Sequence, residues 1–207
     1  MQLIDDIIPE PTEEESIQAL LSAQEMAFEN GLTTVSEAGI SRKQIELIDS
    51  LQKSGILKIK IYAMIENGPD VDYYISQGPY KTDRLNVRSV KVLADGALGS
   101  RGASMIDEYS DRKGYYGLML TPADSIRSLA FKLAGTGFQM NTHAIGDNAN
   151  RVVLNAYRDA LFNYRDPRWR VEHAQVLKED DIQLFNQKII PSVQPTHATS
   201  DMYWLYD

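Results

Sequence analysis

Short β-rich runs alternate with helix-forming segments along most of this 207-residue chain, and this alternation restricts the fold more than any other feature. Six runs are predicted to be strands: 32–36, 57–65, 87–94, 138–144, 169–174 and 189–194. Helical connections between successive strands predict parallel pairing with right-handed crossovers. The fold class is therefore α/β, and either a doubly wound open sheet or a (β/α)8 barrel satisfies the pattern.

Helix start signals support the same division of the chain. Thr12 with Glu15 and Ser41 with Gln44 each form a capping box in front of apolar residues at helical spacing. Pro122 occupies the first position of a third predicted helix. Two more helices are predicted over 148–161 and 179–186.

The first predicted strand is followed by TTVSEAGISRK, which lacks the GxGxxG turn of dinucleotide-binding sheets. This absence favours the barrel. A complete barrel has eight strands, so six predict an incomplete one that forms a single domain over residues 1–207. The long connection Asp95–Leu120 has little periodicity, which is typical of a lid or a binding loop.

Composition excludes several classes of function. The formal net charge is −8, which argues against general nucleic-acid binding because phosphate contacts need clustered Lys and Arg. The absence of cysteine excludes disulfides, thiolate zinc sites and a cysteine nucleophile. No apolar run reaches the ~18–20 residues of a membrane span, and the first residues lack the basic region of a signal peptide. We therefore expect a cytoplasmic protein without a membrane partner.

Lys91 lies in the strand sequence VRSVKVLAD, where alternation places it with Ser89 and Asp95 on the face opposite three apolar residues. In a barrel the apolar face meets the helices, so Lys91 points inward. A buried ammonium must be paired or neutralised. The alternatives are an ion pair with Asp95 or another carboxylate, a Schiff base, a carbamylated lysine that bridges two cations, or a lysine that simply reaches solvent.

All three histidines of the chain follow or end predicted strands. His143 ends FQMNTH, where it shares a polar face with Gln139 and Asn141, and His173 ends WRVEH, on the face of Trp169 and Val171. His197 follows the last strand. Catalytic groups of barrels lie at the C-terminal ends of their strands. Neutral imidazoles favour zinc, iron, manganese or cobalt, so the pattern predicts a metal-assisted hydrolase.

Four segments in order, VKVLADGALGSRGA, NTHAIGD, VEHAQ and PSVQPTHATSD, resemble the amidohydrolase superfamily. The similarity is greatest to amidohydrolase family 3, with its N-substituted formamide deformylase-like enzymes. It implies a distorted (β/α)8 barrel that hydrolyses the C–N bond of a small amide or formamide with one or two divalent ions, zinc being expected. By this resemblance Lys91 is the strand-four lysine, carbamylated in many members, and His143 and His173 are metal ligands of strands five and six.

The resemblance also implies four substrate-binding residues. Asp95 and Arg101 belong to the glycine-rich ADGALGSR stretch that would lie near the substrate, and His197 and Asp201 would line the pocket. From the residues alone, a loop arginine such as Arg101 is better explained by exposure to solvent than by binding of a substrate carboxylate.

The chain departs from the family pattern in ways that affect activity. No HxH pair occurs in the sequence. The strand-eight aspartate, the family's general base, would lie beyond Asp207, and the flanking β-sandwich has no counterpart. By this alignment the chain is an internal piece comprising strands two to seven. We therefore expect metal binding that is weak at most, little hydrolysis, and self-association through exposed barrel edges.

Two rival hypotheses remain open at this point. One is a non-catalytic remnant or interaction module that keeps the barrel fold. The other is an aldolase that forms a Schiff base on Lys91. The two strand-end histidines favour the metal-dependent hydrolase, because a Schiff-base lysine does not require them.

Overall fold

Seven helices and seven strands are found in the computed structural model, which describes residues 8–201. The helices are α1 (Glu13–Glu29), α2 (Arg42–Lys53), α3 (Asp70–Gln77), α4 (Ala123–Leu133), α5 (Asp147–Ala160), α6 (Glu179–Ile182) and α7 (Thr196–Ser200). The strands are β1 (Thr34–Ile40), β2 (Lys60–Glu66), β3 (Tyr80–Lys81), β4 (Leu85–Leu93), β5 (Gln139–Ala144), β6 (Trp169–His173) and β7 (Ile189–Ser192).

Six strands form one parallel sheet in the order β1-β2-β4-β5-β6-β7. The order follows the chain without reversal, whereas a doubly wound sheet reverses at a switch point. The described residues therefore form an incomplete (β/α)8 barrel, the alternative that the missing GxGxxG turn favoured. The short β3 pairs antiparallel with β4 and does not interrupt this order.

The hydrophobic core lies between one face of the sheet and the helices that cover it. Val90 and Val92 of β4, Met140 of β5 and Val171 of β6 are buried there. Tyr157 of α5 is also buried, and its hydroxyl donates to the backbone carbonyl of Met140 at 2.9 Å. The apolar face of each strand therefore points to the helices, and the polar face points to the barrel interior.

Several predicted boundaries were wrong. The first strand covers Thr34–Ile40 instead of 32–36, because parallel pairing with β2 continues through Glu37 and Ala38. Helix α3 was missed because its sequence, DVDYYISQ, is rich in the aromatic and β-branched residues typical of strands. The two-residue β3 and the five-residue α7 are too short to produce a periodic signal.

Both predicted capping boxes are present, at the starts of α1 and α2. Among residues 8–201, none of the helices combines the length and the apolarity needed to cross a bilayer.

Candidate metal centre

Lys91 lies on the interior face of β4, because its neighbours Val90 and Val92 are buried in the core on the opposite face. The β2–β4 register shifts at one point, where Val87 and Ser89 lie opposite consecutive residues of β2. Arg88 is therefore the extra residue of a β-bulge. The bulge moves the apolar face from odd to even positions, which turns Lys91 inward.

The Lys91 side chain is half-buried against the backbone of Gly39 in β1. A Cβ atom at Gly39 would lie 3.5 Å from Lys91 Cγ, and this glycine has a φ of 108° that strongly favours glycine. Burial lowers the pKa of the Lys91 ammonium, the Glu172 carboxylate acts in the opposite direction, and Arg170 acts with burial. An amine in this environment loses its proton more readily than a free lysine.

His143 is held at the end of β5 by two oxygen atoms. Its Nε2 lies 3.4 Å from the Gly96 carbonyl oxygen and 3.5 Å from Asp95 Oδ1. Because a carbonyl only accepts, Nε2 carries the proton and the lone pair lies on Nδ1. The pKa of His143 is lowered to about 4, mainly by burial and next by the neighbouring His173. The ring is therefore neutral near pH 7, as a metal ligand must be.

His173 reaches the site by a route that strand alternation did not predict. Alternation places it with Trp169 and Val171, and both of these pack in the core. The backbone at His173 and Ala174 is left-handed instead, with φ of 74° and 44°. The ring therefore meets His143 edge-on, with 4.7 Å between ring centres. Its Nδ1 lies 2.6 Å from Gln194 Oε1.

Asp95 organises the protein around the histidines. Its carboxylate is buried and accepts backbone N–H groups from Ser104 at 2.8 Å, Ile145 at 3.0 Å and Gly146 at 2.8 Å. Burial raises the pKa of Asp95, and these three hydrogen bonds oppose the rise. Both oxygens accept hydrogen bonds from the protein backbone, so Asp95 holds the loop and lies beside His143. Its predicted role in binding a substrate stays a prediction.

The C-terminal ends of β4, β5 and β6 with the loop after β4, a region termed the rim, are closely tied together. The buried Asn150 Nδ2 lies within hydrogen-bonding distance of four backbone carbonyls. Three belong to the β5–α5 turn, at residues 144–146, and the fourth is that of Val176. The Ser104 carbonyl accepts from the first turn of α5. A Cβ at Gly146 would overlap that carbonyl, and one at Gly117 would overlap the Ala103 carbonyl. The connection predicted to be a lid or a binding loop is therefore fixed to the barrel in its first half.

The other predicted substrate residues have different surroundings. Arg101 pairs with Asp111 through both Nε and Nη2, on the exposed part of the loop. The His197 ring lies 6.0 Å from that of His173, and within the described residues its buried Nδ1 has no hydrogen-bond partner. Asp201 accepts from Gln175 Nε2 at 2.8 Å. His197 is thus the one of these that lies beside the two site histidines.

Three interior polar residues were missed by the motif analysis: Arg170, Glu172 and Gln194. Glu172 lies opposite His143 in the β5–β6 register, and its Oε1 is 2.8 Å from Arg170 Nε. The Asn141 amide oxygen, in its better orientation, accepts from Arg170 Nη2 at 3.1 Å. Alternation along WRVEH does reveal the Arg170–Glu172 face, once Trp169 and Val171 are assigned to the core.

The donors of His143 and His173 fit a divalent cation. Two imidazoles that share a tetrahedral ion at about 2.1 Å have ring centres roughly 5 Å apart, close to the separation found here. The third candidate, Lys91, lies on the same face of the sheet. In the β4–β5 register Leu93 pairs with His143, and Lys91 lies two residues before Leu93. Within residues 8–201, no three carboxylate or imidazole side chains group closely enough to bind an ion by themselves. Lys91 is therefore the neighbour with which the two histidines would complete a three-ligand site.

Comparisons with known proteins agree with this architecture. Residues 2–207 match the amidohydrolase family. Protein LONG AFTER FAR-RED 3 of Arabidopsis thaliana is 30% identical over 97% of this chain and 37% of its own length. The putative amidohydrolase YtcJ of Bacillus subtilis is 33% identical over 63% of this chain and 24% of its own length.

A solved structure of an uncharacterized metal-dependent hydrolase from Pyrococcus furiosus superimposes with a TM-score of 0.83 and 27% identity. The match covers 93% of this chain and 41% of that protein. This chain therefore spans about two fifths of the length of the plant and Pyrococcus proteins. The family match covers almost every residue, and the parallel barrel order and the rim histidines agree with it, so the chain belongs to the amidohydrolase family.

Proposed function

We propose that this protein is a metal-dependent hydrolase that cleaves the C–N bond of a small amide or formamide-type substrate. The observation that carries the proposal is the arrangement of His143 and His173. Each ring has one nitrogen directed at a protein oxygen acceptor, and the two rings lie 4.7 Å apart. This arrangement leaves one lone pair on each ring for a shared ion.

A divalent ion at this position would polarise the substrate carbonyl and lower the pKa of bound water. His143 and His173 would hold it, with Lys91 as the third ligand, either as a neutral amine or as a carbamate. Asp95 fixes the loop that supplies Gly96, and Gly96 in turn orients His143. The ion pair of Arg170 and Glu172 places fixed charges on the interior face beside Lys91.

Three ligands suit a single tetrahedral zinc ion better than a pair of ions. We therefore propose that this chain holds one ion weakly, and that its hydrolysis is slow compared with enzymes carrying the full ligand set of the family. The similarity of the chain to an uncharacterized metal-dependent hydrolase supports the assignment as a metal-dependent hydrolase.

The test is to measure zinc content and hydrolysis of an N-formylated amine by the 207-residue chain. We expect up to one zinc ion per chain in zinc excess, slow hydrolysis that a chelator abolishes, and loss of both in His143→Ala. The variant Asp166→Asn, in an exposed ion pair with Arg168 before β6, serves as the control and should behave like the parent chain.

Absence of zinc and of hydrolysis would instead support the rival assignment, a non-catalytic module that retains the barrel. Trapping of a carbonyl substrate on Lys91 by borohydride, with no effect of a chelator, would support Schiff-base chemistry. Two tightly held ions per chain would contradict the three-ligand account.

A further inference from the structure

We propose that Gln194 is a positioning residue that fixes the tautomer of His173, so that the Nε2 lone pair of this ring is available to the metal ion. The inference rests on the proposed function and adds a residue to it. Gln194 lies two residues after the end of β7, and its Oε1 is 2.6 Å from His173 Nδ1. This is the one hydrogen bond made by the His173 ring within the described residues.

The direction of this hydrogen bond follows from what surrounds the amide. Gln194 Nε2 lies 3.5 Å from the backbone carbonyl oxygen of Ser192. A carbonyl only accepts, so the amide NH2 group must face Ser192, and the amide oxygen must face His173. His173 Nδ1 therefore donates, and its proton is held on that nitrogen. The lone pair of the neutral ring is left on Nε2.

The backbone shows why His173 needs such a partner. Strand pairing between β6 and β7 ends at Glu172 and Ser192, immediately before His173. The next two residues, His173 and Ala174, have left-handed backbone conformations that non-glycine residues adopt rarely. Such conformations persist only where their surroundings hold them. The Gln194 side chain connects the ends of the two strands at the point where backbone pairing stops.

Partners of this kind orient histidine ligands and raise their basicity, and their loss commonly lowers metal affinity by about 10- to 100-fold. Gln194→Leu removes the acceptor, whereas Gln194→Glu retains an oxygen at the same position. Comparing the two variants therefore distinguishes the effect of losing the hydrogen bond from the effect of merely changing the side chain. Gln187→Leu, at an exposed position before β7, is the matched control.

The experiment is ¹⁵N NMR of the histidine rings in the metal-free 207-residue chain at pH 8.5, followed by zinc titration. The chain has three histidines, so His143→Ala and His197→Ala assign the signals of His173. We expect a protonated Nδ1 on His173 in the parent chain, in Gln194→Glu and in Gln187→Leu. We expect a mixture of tautomers in Gln194→Leu, with zinc affinity about 10- to 100-fold lower.

A parent His173 protonated on Nε2, or an unchanged tautomer in Gln194→Leu, would overturn the inference. If Gln194→Leu does not fold, the parent chain and Gln194→Glu decide, and a change of tautomer in Gln194→Glu would contradict the proposal. A chain that takes up no zinc would refute the proposed function alone, because the tautomer is read in the metal-free protein.

Discussion

The rim and the first strand of the sheet are built in opposite ways. At the rim, buried side chains hold several backbone groups at once: Asp95 accepts three backbone N–H groups, and Asn150 Nδ2 lies near four carbonyls. Strand β1, by contrast, pairs on one side with β2, and within the described residues its other side is unpaired. Ser36, Glu37 and Ala38 are all exposed along it.

The space beside β1 is also loosely filled. An apolar groove of about 580 Å³ lies between α1, β1 and α2, and it is lined by Leu20, Val35 and Leu57 among others. Helix α1 has one buried residue, Ala27, although it is the longest helix described. This unpaired side of β1 and its groove are termed the open edge.

The difference between the rim and the open edge shows which part of the structure is held by contacts within the chain. At the rim, Asp95 of one motif segment holds the backbone of another at Ile145 and Gly146, so local sequence and tertiary contacts agree there. At the open edge, the strand carries a backbone surface that other chains can pair with. We therefore expect substitutions to affect stability most at the rim and to affect association most at the open edge.

The largest effect is expected for Gly146→Ala. A Cβ atom there would overlap the Ser104 carbonyl oxygen, and both segments are fixed by other contacts, so the backbone must move. We expect the free energy of unfolding to fall by about 3 kcal/mol or more in urea denaturation. Gly68→Ala is the control, because a Cβ at Gly68 has open space around it. Equal stabilities of the two variants would show that the rim is less rigid than described.

A smaller decrease in the free energy of unfolding is expected for Asp95→Asn. The amide has nearly the shape of the carboxylate, but its NH2 group would face a backbone N–H that the carboxylate oxygen now accepts. Leaving one buried donor without an acceptor costs about 1–3 kcal/mol. Asp111→Asn, in the exposed ion pair with Arg101, is expected to leave the urea midpoint unchanged. A stable Asp95→Asn variant would remove Asp95 from its proposed positioning role.

The smallest effect on stability, and the largest on association, is expected at the open edge. We predict that the chain self-associates through β1 and β7, each of which has one side unpaired within residues 8–201, as light scattering would show at increasing concentration. Ala38→Lys should reduce the apparent mass by placing a charge on the edge, whereas Ser125→Lys on α4 adds the same charge elsewhere and should not. A monodisperse monomer in the parent chain would contradict this prediction.

Much of the fold was predictable because its strands carry clear apolar faces. The alternation in VRSVKVLA assigned Val90 and Val92 to the core and Lys91 to the interior, and the structure has this arrangement. Parallel pairing followed from the alternation of strands and helices, whereas the order without a reversal was favoured only by the missing GxGxxG turn. The alternation pattern did not predict the bulge at Arg88, because the bulge depends on how β4 pairs with β2.

The site was predictable in its residue types and less so in its geometry. Strand periodicity placed His143 on the correct face, but the same rule placed His173 with the core residues Trp169 and Val171. The left-handed backbone at His173 corrects this, and nothing in the residue types of WRVEHA signals it. Gln194 was missed for a similar reason: its role depends on the ends of β6 and β7 lying side by side.

The most direct test of the shared ion is zinc X-ray absorption spectroscopy of the 207-residue chain loaded with one equivalent of zinc. The signal from the outer atoms of imidazole rings counts the histidine ligands. The account predicts two imidazoles on the ion in the parent chain and one in either His143→Ala or His173→Ala, measured with enough zinc to saturate the weakened site. A spectrum that is unchanged by these two substitutions, or an ion without imidazole ligands, would contradict it.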